Sequence, residues 1–394
     1  MYALLLLFLV PISLLATPPS NKNLKNIVED SIRFWNIPGC SVAVIKDGKT
    51  VLCKGFGLKK ANEPSLGQID SKTLFAIASL SKTFTATAAA IAVENKDIHF
   101  DDPIFSAYPQ FILVSPYATK VISYRDALSM RAGLFASIAT QDEWMIKCDS
   151  QDNLLKKLFS LQLPFGFRGA FYYQNMLYLL VGKALEQIKK SNYEQIIQSN
   201  LLTPLSMSST TSEYSTFIKS NNRAIPHQWV NKKFKAVADS DMSLISPALG
   251  IYSNAEDMAK WLQFITKPHK MLSNEVAAEL FTAQTVATTK GFLQEHDQDL
   301  NALYFPNSHF LSYSMGWFIH DYKGIVIYQA PGFVTGMTPV MAYIPSLELS
   351  IAVLCNCESP YFSHAVLFQI IDAYKGWKSK WNDKFLTIAK GVNR

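Results

Sequence analysis

Phe75-Ala76-Ile77-Ala78-Ser79-Leu80-Ser81-Lys82-Thr83-Phe84 is the stretch on which the reading of the whole chain turns. Ser79 opens a run rich in Ala and Thr that continues to Asn95 without Gly or Pro and predicts a buried helix. A helix N-terminus offers unpaired N–H groups and a positive dipole end, which suit a developing oxyanion. Lys82 follows at i+3, so the two side chains share one helix face. A serine hydroxyl is a poor nucleophile until a neighbouring base takes its proton. A lysine can be that base only where burial or nearby charge lowers its pKa toward neutrality. The apolar neighbours of Lys82 supply such burial. The plain alternative makes Ser79 an N-cap and Lys82 a surface charge. Ser-x-x-Lys occurs once in the chain, at this helix start.

Further along stands Tyr173-Gln174-Asn175, on a loop entering a helix predicted over Met176 to Lys189. Tyrosine and asparagine two apart can both face a cleft. The phenol could relay a proton to or from the serine oxygen or leaving group. The Asn amide could hold a substrate carbonyl and contact the lysine. The competing reading makes Tyr172 and Tyr173 core or rim aromatics. A second Tyr-x-Asn, Tyr252-Ser253-Asn254, is set aside. Ser253 with Glu256 reads there as the capping box of a helix over Ala255 to Ile265.

Outside these segments the pattern alternates between strands and helices. Residues 24 to 36 read as an amphipathic helix. Cys40 to Ile45 and Thr50 to Phe56 are β-prone runs about Asp47-Gly48, a strong hairpin signal. Tyr124 to Arg131 reads as a helix with Ser123 as N-cap and Gly133 at its stop. Strands are predicted at Tyr313 to Asp321, Gly324 to Tyr328, Thr338 to Ile344 and Leu349 to Leu354, with a closing helix from about Phe362 to Lys375. The fold class expected is α/β in the α+β sense: an antiparallel β-sheet flanked by helices, with a large helical insert. The sheet lobe would span 24–78 and 310–394 and the helical lobe 79–309, both within one domain over 17–394. A cleft between two such lobes is a natural site.

Composition narrows the function classes. The chain has 394 residues, 49% hydrophobic and 17% charged, with a formal charge of +6. The basic residues are scattered in short groups such as Lys232-Lys233, so no nucleic-acid partner is expected. Met1 to Ala16 is almost wholly apolar and suits a signal peptide, with Ala16 as the last residue before cleavage. No Lys or Arg precedes that run, and Leu14 sits where a small residue is preferred. An uncleaved N-terminal anchor is the alternative. The expected location is periplasmic or secreted, with no transmembrane domain in the mature chain. Five cysteines leave at least one thiol free or paired between chains. Cys355-Asn356-Cys357 lacks metal-ligand spacing and the seven histidines form no HExxH pair, so neither metal nor cofactor is expected. His227 reads as a structural histidine, Trp229 and Trp317 as packing or pocket wall, and Asp126 with Arg131 as a local pin. The oligomeric state is left open.

Taken together, Ser-x-x-Lys and Tyr-x-Asn resemble the motif set of serine β-lactamases and penicillin-binding proteins. The chain resembles the class C-like branch, which includes esterases, D-aminopeptidases and D,D-peptidases. YRDALSMRAGL (Tyr124 to Leu134), Phe167 to Glu186, SPALGIYSNAEDMAKWL (Ser246 to Leu262) and YSMGWF (Tyr313 to Phe318) extend the resemblance from about residue 25 to 375. It implies a β-lactamase/transpeptidase-like fold. It implies that Ser79 is acylated, that Lys82 and Tyr173 share proton transfer, and that Asn175 positions substrate. It also implies an oxyanion hole from the serine's own N–H and one from a third-motif strand. In such a fold Cys40 and Cys355 lie on neighbouring strands, so a disulfide is possible.

The third motif departs from the pattern. By position it is Ala330-Pro331-Gly332, where relatives carry His or Lys in place of Ala330, and no His-x-Gly exists in the chain. Gly332 survives, and the N–H of Phe333 could complete the oxyanion hole. Tyr328 and Gln329 are poor substitutes for a charge. Losing that cation should weaken carboxylate binding by roughly 1.5–3 kcal/mol. The expectation is therefore a serine hydrolase acting on ester, amide or peptide substrates, rather than an efficient β-lactamase. A non-catalytic binder of the same fold, and a true β-lactamase or D,D-carboxypeptidase, are the alternatives.

Overall fold

Asp47 and Gly48 have φ of 52° and 73°, the paired left-handed values of a two-residue hairpin turn, and from this turn the sheet is built. The computed structural model describes residues 17–267, 271–288 and 302–392. The signal peptide or anchor expected over Met1 to Ala16 lies outside the described residues. In chain order the strands are β1 (Gly39–Lys46), β2 (Lys49–Gly57), β3 (Phe75–Ala76), β4 (His227–Val230), β5 (Lys233–Ala236), β6 (Tyr252–Ser253), β7 (Thr285–Val286), β8 (Leu311–Tyr313), β9 (Phe318–Tyr322), β10 (Ile325–Pro331), β11 (Val340–Ile344) and β12 (Leu349–Cys355). Eight of them form one sheet, ordered β2-β1-β12-β11-β10-β9-β8-β7. Its recorded pairings are antiparallel, as expected. The N- and C-terminal segments meet at β1 and β12, in the register Cys40↔Cys355 through Lys46↔Leu349.

Side chains alternate across the strands and so build two cores. Val42, Val44, Ile327, Ile351 and Val353 face the helices Asn21–Trp35, Pro360–Lys375 and Trp381–Val392. Ala43, Ile45, Ala330, Met341 and Ala352 face the opposite way, into a core shared with the Ser81–Glu94 and Asn175–Lys189 helices. β12 is buried along its whole length, which explains a sequence apolar but for Ser350. The Ala255–Thr266 helix packs on β1, β2 and β12, and β7 joins the far edge of the sheet, so two elements from within 79–309 lie with the sheet lobe.

Several local expectations are corrected. The strand expected over 313–321 is a hairpin, β8 and β9, broken at Ser314–Trp317. Gly316 there has φ 93°, and a Cβ on it would stand 3.1 Å from Thr83 Cα, so the turn presses on the backbone next to Lys82. The helix opened by Ser123 has its capping box but ends at Leu128, well short of Gly133. The cap of the Ala255–Thr266 helix is Asn254, which accepts from Asp257 N, not Ser253. Ser253 sits in β6, paired with Phe75, and its hydroxyl bonds Thr210 at 2.8 Å. Glu256 instead accepts from Ser71 Oγ. Cys40 and Cys355 are direct neighbours in register, yet the disulfide is absent and all five cysteines are free. The Cys355 sulfur turns toward Cys357, at 3.3 Å.

Candidate active site

Ser79 does not open the long helix. It lies in a 3-10 turn, Ala78–Leu80, that feeds the helix beginning at Ser81. Ala78 has φ 49°, a left-handed value that costs a residue with a Cβ roughly 1–3 kcal/mol. The kink turns the chain out of β3. It is braced from one side: β3 pairs with β6, and Ile77 N donates to Ile251 O.

Lys82 is 1% exposed. Its Nζ lies 3.0 Å from Ser79 Oγ and 3.1 Å from the carbonyl of Ala248, in the short Ser246–Leu249 helix. The amine sits 4.8 Å from the ring centre of Tyr173 and 5.7 Å from that of Tyr178. Among the described residues no carboxylate pairs with it. Burial alone therefore acts on it, and holds its pKa well below the ordinary lysine value.

Tyr173 is 6% exposed and is hydrogen bonded to Ser79. Burial pushes its phenol up, with the bond to Ser79 working against the rise. The hydroxyl, amine and phenol thus meet, though they lie up to ninety-odd positions apart in the chain. Asn175 is at the N-terminus of its helix, 4% exposed. Its Oδ1 has no hydrogen-bond partner, so the expected contact between this amide oxygen and Lys82 is not made.

Gly332 follows the end of β10 and lies against the Ala78–Leu80 turn. A Cβ there would come within 3.0 Å of Ile77 O and Leu80 Cδ1. Only glycine permits that approach. Gly332 N is spent on Pro339 O, whereas the N–H groups of Ser79 and Phe333 make no backbone hydrogen bond among the described residues. Ser79, Tyr173, Asn175, Gly332 and Phe333 line one hollow of about 180 Å³.

Ala330 is buried on the face turned toward this site. Gln329 is one residue away and on the other face. It bonds His320 Nε2, the Tyr304 carbonyl and His364, and cannot stand in for the missing cation. Tyr252, set aside from the sequence, is buried in the clamp beside β3 and stacks on Phe217. His227 bonds Ala61 N and Asn356 O, a structural role as expected. Asp126 takes Arg131 at 2.6 Å and also Arg168 at 2.7 Å, which ties down the loop before Tyr173.

Two supports were not foreseen. Gln141 donates to Tyr173 O and accepts from Asn175 N, both at 2.8 Å, and so fixes the tyrosine loop from the Ile138–Lys147 helix. Ala248 contributes only a carbonyl, which has no side-chain signature. Among the described residues no three His, Cys, Asp or Glu side chains are grouped to hold a metal ion.

The sheet, the helical face and the serine–lysine pair define the class: the fold is that of the serine hydrolases related to β-lactamases and penicillin-binding proteins. The chain belongs to the Beta-lactamase family, whose model matches residues 26–374. It is similar to Protein flp of Staphylococcus aureus (strain MW2), with 23% identity over 346 residues covering 88% of this chain and 65% of that protein. The chain thus spans about 65% of the length of such curated relatives. Among solved structures it resembles the octameric penicillin-binding protein homologue from Pyrococcus abyssi, with TM-score 0.72, 21% identity, and coverage of 89% of this chain and 77% of that one. It also resembles a D-stereospecific amidohydrolase from Streptomyces sp., with TM-score 0.68, 15% identity, and coverage of 90% and 98%.

Proposed function

We propose that this chain is an acyl-serine hydrolase that cleaves ester or amide bonds, with Ser79 as nucleophile and Lys82 as its base. The observation that carries the reading is a buried amine 3.0 Å from Ser79 Oγ with no carboxylate to keep it charged. An uncharged Lys82 takes the proton as Ser79 Oγ bonds to the substrate carbonyl carbon. The N–H groups of Ser79 and Phe333 hold the resulting oxyanion. Tyr173, kept as a phenol by burial, gives a proton to the leaving group, and the proton on Lys82 replenishes it. Water then enters by the reverse route and releases the acid. Asn175 positions substrate from the cleft wall.

Ala330 supports a preference for esters or amides over β-lactams, because no cation on this strand meets a substrate carboxylate. Export is proposed on Met1 to Ala16 alone, and the N-terminal sequence of the mature protein tests it.

The decisive experiment is a fluorophosphonate probe with p-nitrophenyl acetate turnover. Wild type should label and turn over, and Ser79→Ala should do neither. Absence of labelling in the wild type would favour a non-catalytic binder. Efficient turnover of a chromogenic cephalosporin would favour a β-lactamase.

A further inference from the structure

We infer that Asp142, which lines the same hollow as Asn175, recognises a protonated amine on the substrate. The inference rests on the acyl-serine reading above and names the substrate class that reading leaves open.

Among the described residues that line the 180 Å³ hollow holding Ser79, Asp142 is the one with a charged side chain. The adjoining hollow of about 470 Å³ shares Asp142, Leu249 and Phe333 with it and adds Asp241. No Lys, Arg or His lines either space. The region around the serine is therefore anionic, the reverse of a site built for a carboxylate. Asp241 is engaged by Ser243. Asp142 has neither hydrogen bond nor ion pair among the described residues. The side chain is exposed, and the part of it that is covered raises its pKa, with no partner to oppose the rise.

The second observation is independent of charge. Asn175 is 4% exposed, and its Oδ1 is an acceptor with no donor. A buried unpaired acceptor costs about 1–3 kcal/mol, a cost removed when a ligand donates to it. An ammonium carries three donors and no acceptor, which suits a carboxylate and an amide oxygen together. Gln141, the residue before Asp142, is bonded to both Tyr173 and Asn175, so the Ile138–Lys147 helix holds Asp142 in fixed relation to the reacting groups. Ala330 completes the pattern: the sheet wall offers no competing cation.

The test compares three methyl esters on one scaffold, followed by acid release: alanine, N-acetylalanine and N-succinylalanine, which present a cation, a neutral amide and a carboxylate. p-Nitrophenyl acetate and fluorophosphonate labelling of Ser79 run alongside in every variant, and report acylation and folding separately. Wild type should prefer the free amine over the acetylated ester by roughly tenfold or more in kcat/KM, with the succinyl ester slowest. Asp142→Asn should collapse that ratio toward one, and Asp142→Lys should move the succinyl ester to first place. Turnover of p-nitrophenyl acetate with no preference for the amine, or a preference that survives Asp142→Asn, overturns the amine assignment and leaves the acyl-serine reading standing. No labelling and no turnover of any ester overturns both.

Discussion

The two faces of the sheet near β10 bury titratable groups in opposite ways. On one face Lys82 has a serine at 3.0 Å, a single carbonyl behind it and a hollow in front. On the other, His320 and His364 are fully buried and fully engaged. His320 bonds the Asp321 carbonyl and Gln329; His364 bonds the Pro360 carbonyl and Gln329. Burial pushes both imidazoles down to about 4. A displaced pKa is thus common to both faces. What separates chemistry from architecture is a reacting hydroxyl within reach and space for a substrate.

The comparison can be broken most directly at the serine. Ser79→Ala should lower p-nitrophenyl ester hydrolysis by about 10⁴-fold or more. Retained turnover would mean that the reactive face lies elsewhere. Lys82→Met should cost about 10³-fold in rate and at the same time raise the melting temperature. The unfolded lysine keeps its proton up to its ordinary pKa, whereas the folded one sheds it earlier. The unfolded state therefore binds more protons at neutral pH, and methionine removes that penalty. Wild-type activity should rise with pH through an apparent pKa below the ordinary lysine value, since the uncharged amine is the base.

On the other face the sign follows from the same logic. Each imidazole falls from 6.5 to about 4 on folding, so the neutral form is favoured in the native state. That stability is present above pH 6.5 and is lost as pH falls toward 4, by up to about 3 kcal/mol per ring. Urea unfolding at pH 7 and pH 4.5 should show the loss, and His320→Gln should flatten it while leaving the pH–rate profile of Lys82 in place. The smallest effect is expected on the strand itself. Ala330→Lys should raise acylation by a carboxylate-bearing cephalosporin by roughly tenfold, read as a change in kcat/KM. No change would mean that the added cation cannot reach substrate from this face.

Where neighbouring residues decide the structure, the sequence was sufficient. Asp47-Gly48 specified its turn, and Ser79 with Lys82 shared a surface because three positions separate them. Tyr173 was a candidate relay from its residue type, but only the resemblance tied it to Ser79, since nothing local links the two. The failures have physical causes. Ser314 to Trp317 reads as strand, but contact with Thr83 bends it into a turn. Ser253 and Asn254 are both competent caps, and pairing of Ser253 with Phe75 decides in favour of the other. Gln141 and Ala248 act across more than thirty and one hundred and sixty positions, the latter through backbone alone, so no pattern of residue types announces them.

The Ser246–Ser253 segment supplies both supports of the Ser79–Lys82 pair, Ala248 O at the amine and Ile251 O behind Ile77. Of its eight residues, all buried, Leu249 alone is among those lining the hollow that holds Ser79. For an engineer this segment is where a change would reach the serine and the amine through backbone carbonyls rather than through the cleft wall.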